Sequence, residues 1–159
     1  MDTTPAAPRT GRNEPLGFVI ASTGQAAAAA FEAALAETGL HPRHFAVLRG
    51  LKDGEAQSQQ QLAHRLGIPA SRIVGLLDEL VRRGFVFRRE SPADRRVKLV
   101  ALLDAGREEL QRLTKLAGES ERKVTTGLSA GEQDELRRLL GIVYDNVAVE
   151  PQGVRARVW

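Results

Sequence analysis

Residues 69–102 read PASRIVGLLDELVRRGFVFRRESPADRRVKLVAL, and no other stretch restricts the fold so tightly. Ile73, Leu76, Leu77 and Leu80 recur at i, i+3, i+4 and i+7, the single apolar stripe of a helix that must be buried on one side. Ala70, Ser71, Arg72, Val74 and Gly75 fall mostly off that stripe, and Gly84 ends the helical period. Two short strand-like runs follow, 85–89 and 97–102, separated by the turn chemistry of Ser91, Pro92, Ala93 and Asp94. The spacing therefore predicts a helix leading directly into a β-hairpin.

The same stretch carries the charge. Between Arg82 and Lys98 stand seven basic residues (82, 83, 88, 89, 95, 96 and 98) and two acids, Glu90 and Asp94, for a net +5 in a chain of only +3. The remainder nets −2, so the positive charge is concentrated on one short ridge. A local basic ridge on a near-neutral chain points to a polyanionic partner, whereas a charge run by itself more often is just a solvated face.

A chain of 159 residues holds one ordinary domain, or a small domain with accessory helices. Hydrophobic and charged fractions of 42% and 27% fit a soluble globular protein. No apolar run approaches the roughly 20 residues that cross a bilayer, which predicts no membrane partner. The N-terminus lacks the basic-then-apolar order of a secretory signal, and the expectation is a cytoplasmic protein. With no cysteine, disulfides, thiolate metal sites and catalytic thiols are excluded together. Only four of the 23 basic residues are lysine, an arginine bias suggestive of a GC-rich bacterial genome.

Taken in order, residues 1–14 are rich in Pro, Thr and charge and read as a flexible arm. An Ala-rich helix is expected from 15 to about 37, with Leu16, Ile20, Ala27, Phe31, Ala34 and Leu35 at helical spacing. Pro42 begins a second helix, burying Phe45, Leu48 and Leu51 or Val47. Ser58 with Gln61 is a capping box that opens a third, through Leu62, Ala63 and Leu66 to Gly67. Two short helices, a Gly67 turn, a longer helix and a hairpin make the winged helix-turn-helix pattern.

Beyond the hairpin, Asp104 is expected to cap a long helix that Gly118 bends, and the capping box Ser129 with Glu132 to open a final one carrying Leu136, Leu139, Leu140, Val143 and Val147. Pro151 and the tail to Trp159 follow. The fold class is mainly α with a small β-hairpin wing. A winged helix-turn-helix domain (41–103) is flanked by dimerisation helices at 15–40 and 104–147, with a tail from 148 to 159. The flanking helices have no obvious place to bury both apolar stripes, which argues for a homodimer.

These residues resemble a known family, the MarR-type transcriptional regulators, over roughly residues 15–147. The most specific part is Ser91-Pro92-Ala93-Asp94-Arg95-Arg96 with Leu99, Leu102 and Gly106, which looks like the family's wing signature. Gln61-Leu62-Ala63 with Leu66-Gly67, and Leu76 through Gly84, support it. The resemblance implies a dimeric repressor whose recognition helix enters the major groove of double-stranded DNA while the wing reaches an adjacent minor groove. It makes Arg95 the minor-groove residue, and has Asp94 and Arg96 hold the hairpin and meet the phosphate. Ser71 and Arg72 become candidates for base edges along an edge completed by Ala70, Val74 and Gly75. Ser58, Gln59 and Gln60, at a helix N-terminus, form a phosphate clamp, and Arg88 joins the set from the basic ridge. Val74 and Gly75 depart from the family's usual polar residue and Arg, and Leu103 from its usual Thr.

The resemblance also implies a small anionic or aromatic effector that weakens DNA binding, with Phe31, His41, Arg43 and His44 as candidate residues. The plainer reading is that His41 starts a helix and His44 is packed or solvated. Two histidines without a third ligand make no metal site, and no cofactor is expected. An enzyme finds no motif: no Gly-x-Ser-x-Gly, no phosphate-cradling glycine loop, no His-Glu-x-x-His. The alternative is a winged helix that serves as a protein-interaction module.

Overall fold

The computed structural model describes residues 14–147. The arm expected over 1–14, save its last residue, and the tail 148–159 with Trp159 lie outside the described residues. The first helix, α1 (Leu16–Leu35), runs into a 3-10 turn (Ala36–Thr38) and then α2 (Pro42–Gly50). A short strand, β1 (Gln57–Ser58), leads into α3 (Gln59–Leu66) and α4 (Ala70–Arg82). The hairpin is β2 (Val86–Glu90) and β3 (Lys98–Leu102), followed by α5 (Asp104–Val124) and α6 (Ala130–Val147).

Local chemistry accounts for most boundaries. Ser58 Oγ accepts the Gln61 amide at 3.1 Å while Gln61 Oε1 accepts the Ser58 amide at 3.2 Å, the reciprocal capping box that starts α3. Gly67, at φ 62°, takes the left-handed conformation that ends α3 and turns the chain toward α4. The apolar stripe of α4 meets the core: Ile73, Leu77 and Leu80 are fully buried and Leu76 half-buried. They pack with Leu35, Phe45, Val47, Leu48, Leu51, Leu62, Val86, Val100 and Leu113 in one core.

The structure departs from the sequence expectations at several points. The wing is a three-stranded antiparallel sheet of order β1-β3-β2, because Gln57 and Ser58 pair with Val100 and Leu99 on the free edge of β3. Both hairpin strands end or begin one residue later than expected, in a register that runs from Val86 opposite Leu102 to Glu90 opposite Lys98. Asp104 does not cap α5: the cap position is Leu103, which makes no side-chain cap bond, and Asp104 is the acid of the first turn, where the helix dipole favours it. Gly118 lies within α5 without interrupting it.

The expectation that no segment reaches membrane-crossing length is also corrected. Leu16–Thr38, 23 residues, is long and apolar enough by length and composition alone, a result of its alanines. In the fold it packs along α5, with Leu35 fully buried. The two terminal blocks thus cover each other only in part: α6 has no buried residue, and Leu136, Leu139, Leu140 and Ile142 are 42–47% exposed.

Candidate nucleic-acid interface

Packing of α4 on α2, α3 and β2 turns the opposite edge of the helix outward. Ala70, Ser71, Arg72, Val74 and Gly75 are all exposed, as the off-stripe spacing predicts. A methyl placed on Gly75 would meet nothing within 4 Å, so packing does not require the glycine, although it costs about 1 kcal/mol in a helix interior relative to alanine. The result is a helix edge of small side chains with one long cation, Arg72.

The wing turn is held by its own residues. Asp94 Oδ1 accepts from the Arg96 amide at 3.0 Å and from Arg96 Nε at 3.1 Å, and Oδ2 accepts from its Nη2 at 3.1 Å. These bonds from Arg96 hold the Asp94 carboxyl below the usual carboxylate range. The turn closes with Ser91 N to Val97 O at 2.8 Å and Val97 N to Asp94 O at 2.9 Å. Arg95 is left exposed at the tip.

Pairing sorts the basic ridge into two groups. Arg82 and Arg83 share Glu79, Arg88 meets Asp78 at 2.6 Å, Lys98 meets Glu90 at 2.8 Å, and the Arg89 guanidinium lies 5.4 Å from the Phe87 ring centre. Among the described residues from 72 to 98, only Arg72 and Arg95 have a basic side chain with no ion pair, hydrogen bond or ring contact. A cation already neutralised by a neighbouring carboxylate gains less from a phosphate than a free one, so Arg72 and Arg95, together with Arg89, whose neighbour is a ring and not a carboxylate, keep the anion-seeking charge of this face.

Between the helix edge and the wing lies a cleft of about 420 Å³ lined by Gln59, Val74, Arg88, Arg89, Glu90 and Lys98. Gln59 Oε1 is shut off from solvent in its wall without a hydrogen-bond partner. Ser58 and Gln60 sit beside it at the N-terminus of α3, where the capping box takes one first-turn amide and the others point outward along the axis. Of the residues expected to meet DNA, this cleft brings together Gln59, Val74 and Arg88. Ala70, Ser71, Arg72 and Gly75 are exposed along α4, Arg95 and Arg96 are exposed and Asp94 half-buried at the wing turn, and Ser58 and Gln60 stand at the start of α3.

The four candidate effector residues do not converge. His41 and Arg43 line a cavity of about 430 Å³ between α1, the start of α2 and the α3–α4 turn, with Arg72 on its rim. Phe31 instead packs edge-on against Phe45, centroids 5.8 Å apart at 71°, in a separate opening against α5. His44 lines neither. His41 and His44 form a capping box of imidazoles: His41 Nδ1 accepts the Arg43 amide at 3.2 Å, and His44 Nδ1 accepts the His41 amide at 3.1 Å. Burial pushes His44 down from the ordinary imidazole range, with Glu79 opposing and His41 and Arg83 adding to the shift. Among the described residues no group of three His, Asp or Glu side chains could hold a metal ion.

Sequence reading missed two residues that shape this face. Asp78, on α4, reaches Arg88 of the wing, and Arg83 donates to the carbonyls of Thr38 and Gly39 at 3.1 and 2.9 Å, tying the end of α4 to the end of the 3-10 turn that follows α1. The signal for Asp78 was only its i+4 spacing from Val74; the Arg83 partners are backbone oxygens, which no sequence pattern marks.

The geometry has known counterparts. Residues 38–97 match the model of the MarR family. The chain is 35% identical over 104 residues to an uncharacterized HTH-type transcriptional regulator, YkoM, of Bacillus subtilis, covering 65% of this chain and 68% of that one. It is similar to the crystal structure of an Escherichia coli MarR mutant complexed with operator DNA (TM-score 0.71, 25% identity, 86% of this chain and 99% of that one). It is likewise similar to CouR from Rhodococcus jostii bound to p-coumaroyl-CoA (TM-score 0.70, 30% identity, 89% and 99%). A winged helix with the Asp94–Arg96 wing turn, matched over the greater part of these relatives, makes the assignment plain: the chain belongs to the MarR family of DNA-binding, winged-helix transcriptional regulators.

Proposed function

We propose that this regulator is a cytoplasmic homodimer that represses transcription at a palindromic operator, and that a small effector releases it. The observation that carries the DNA-reading part is that Arg72 on α4 and Arg95 at the wing tip are exposed with no ion pair, hydrogen bond or ring contact among the described residues. Arg72 on the recognition helix reads a base edge in the major groove with Ser71, while Ala70, Val74 and Gly75 allow close approach and meet thymine methyls. Arg95 enters the neighbouring minor groove and reads its width. Ser58, Gln59 and Gln60 hold a phosphate at the start of α3, and Asp94 with Arg96 keeps the wing in shape.

Residues 15–40 and 104–147 serve as the dimerisation part, and the bare apolar side of α6 supports a second copy as its cover. Two copies place two recognition helices about 34 Å apart, one turn of DNA. The effector is small and largely apolar with an anionic end, seated in the cavity beside His41 and Arg43, where Arg72 on the rim couples its occupancy to reading. That CouR binds p-coumaroyl-CoA, an aromatic acyl group on a large anionic carrier, supports the aromatic and anionic character of the ligand and not its small size.

The test uses a duplex selected by the wild-type chain from a random-sequence pool, titrated by fluorescence anisotropy. Arg95→Ala is expected to weaken binding by about 1 to 3 kcal/mol with folding intact, and wild-type affinity is expected to fall log-linearly with salt. Unchanged affinity in the variant would remove Arg95 from the interface. Binding without sequence preference or salt dependence would favour a protein-interaction module.

A further inference from the structure

We infer that Asp78 and Arg88 are a pair of positioning residues that fixes the wing relative to the recognition helix, so that Arg88 spends its charge inside the protein rather than on a phosphate. This inference rests on the DNA-reading function proposed above. Arg88 Nη2 lies 2.6 Å from Asp78 Oδ1, and the two side chains are 30% and 46% exposed. It is the only ion pair between α4 and the hairpin among the described residues.

Its place gives it leverage. Asp78 stands four residues after Val74, hence on the same face of α4, and Val74 and Arg88 line opposite sides of the same cleft. At its base the hairpin is joined to α4 by the Phe85 amide on the Leu80 carbonyl at 2.9 Å and by buried Val86. From Arg88 outward β2 is exposed, and beside the β1–β3 pairing, which joins the sheet to the start of α3, the ion pair ties this part of the wing to α4 itself. The distance between the Arg72 and Arg95 tips then depends on it. The pair also has an electrostatic reason to exist. A bare Asp78 carboxylate on this face would repel phosphates, and Arg88 cancels it, leaving a neutral unit that releases no counterion.

The experiment compares the full wild-type chain with Asp78→Asn, Arg88→Gln, Asp78→Glu, the double variant D78N/R88Q and the swapped double variant D78R/R88D. Each is titrated across a salt series against the selected duplex and an unrelated duplex, and thermal melting confirms the fold. Asp78→Asn and Arg88→Gln are each expected to narrow the ratio of the two affinities about threefold to thirtyfold, and the double variant D78N/R88Q, which removes both charges at once, to keep the wild-type salt slope. The swapped pair is expected to recover most of the ratio, and Asp78→Glu, which keeps the charge, to hold it even if the swap does not fold. Hydroxyl-radical footprints should lose the wing protections before those of the helix in Asp78→Asn.

The inference is overturned if D78N/R88Q weakens both duplexes equally and lowers the salt slope by about one phosphate contact, and the swap does not restore the ratio. Arg88 is then itself a backbone contact. If the wild-type chain selects no duplex, the DNA-reading function fails first, which is a separate result.

Discussion

A methyl group on Gly106 would fall on the carbonyl oxygen of Phe85, the oxygen that already accepts the Leu103 amide at 3.0 Å. The start of α5 can therefore pass the foot of the wing only without a side chain at that position. Gly106→Ala is expected to destabilise the protein by about 1 to 3 kcal/mol, read as a lower melting temperature, and an unchanged melt would show that the approach relaxes freely. Gly106 was visible in the sequence as part of the wing signature, but not its reason, because Phe85 meets it from 21 positions away. Arg72 and Arg95 show the same division. Their exposure follows from the helical period and from the turn, whereas their freedom from partners depends on where Glu79, Asp78, Glu90 and Asp94 direct their carboxylates.

At the scale of single elements, local patterns were legible and pairings were not. The stripe of α4, the box of Ser58 and Gln61 and the contact of Ser129 N with Glu132 Oε2 at 2.8 Å all sit within eight residues of chain, so the sequence displays them. The two-residue β1 exists only because β3 offers it an edge, and nothing in Gln57-Ser58 announces that. The start of α2 follows the plainer reading, with His41 at the head of the helix and His44 packed beside it, and only their reciprocal capping was not legible, since imidazole is an uncommon cap. Both Nδ1 atoms must stay unprotonated to accept their amides, and His41 Nε2 faces Glu32 of α1 at 3.4 Å. Because burial pushes His44 down, with Glu79 opposing and the neighbouring His41 and Arg83 adding to the shift, the folded chain binds a proton at His44 less readily than the unfolded chain. Stability from this site is full above the ordinary imidazole range and is lost as pH falls through and below it. Thermal melts between roughly pH 7 and 5 are expected to show the decline in the wild type and a flatter response in His44→Gln. Parallel curves would place the acid sensitivity elsewhere.

For the molecule as a whole, α1 and α5 lie together in one chain while α6 keeps its leucines in solvent. Replacing Leu136, Leu139 and Leu140 with Gln is expected to lower the sedimenting mass to that of a single chain and to weaken binding to a palindromic duplex about 100-fold or more, since the second half-site is no longer delivered by the first. A wild-type chain that already sediments as a single chain at micromolar concentration would sink the dimer. The uncovered side of α6 also has a consequence for how such a regulator responds to its own abundance. For the dimeric repressor proposed above, operator occupancy below the concentration at which copies pair rises with the square of the number of chains, so halving synthesis removes about three quarters of the bound state. On that proposal the apolar edge of α6 would set a threshold of gene dosage below which the regulated promoter is open whatever the effector level.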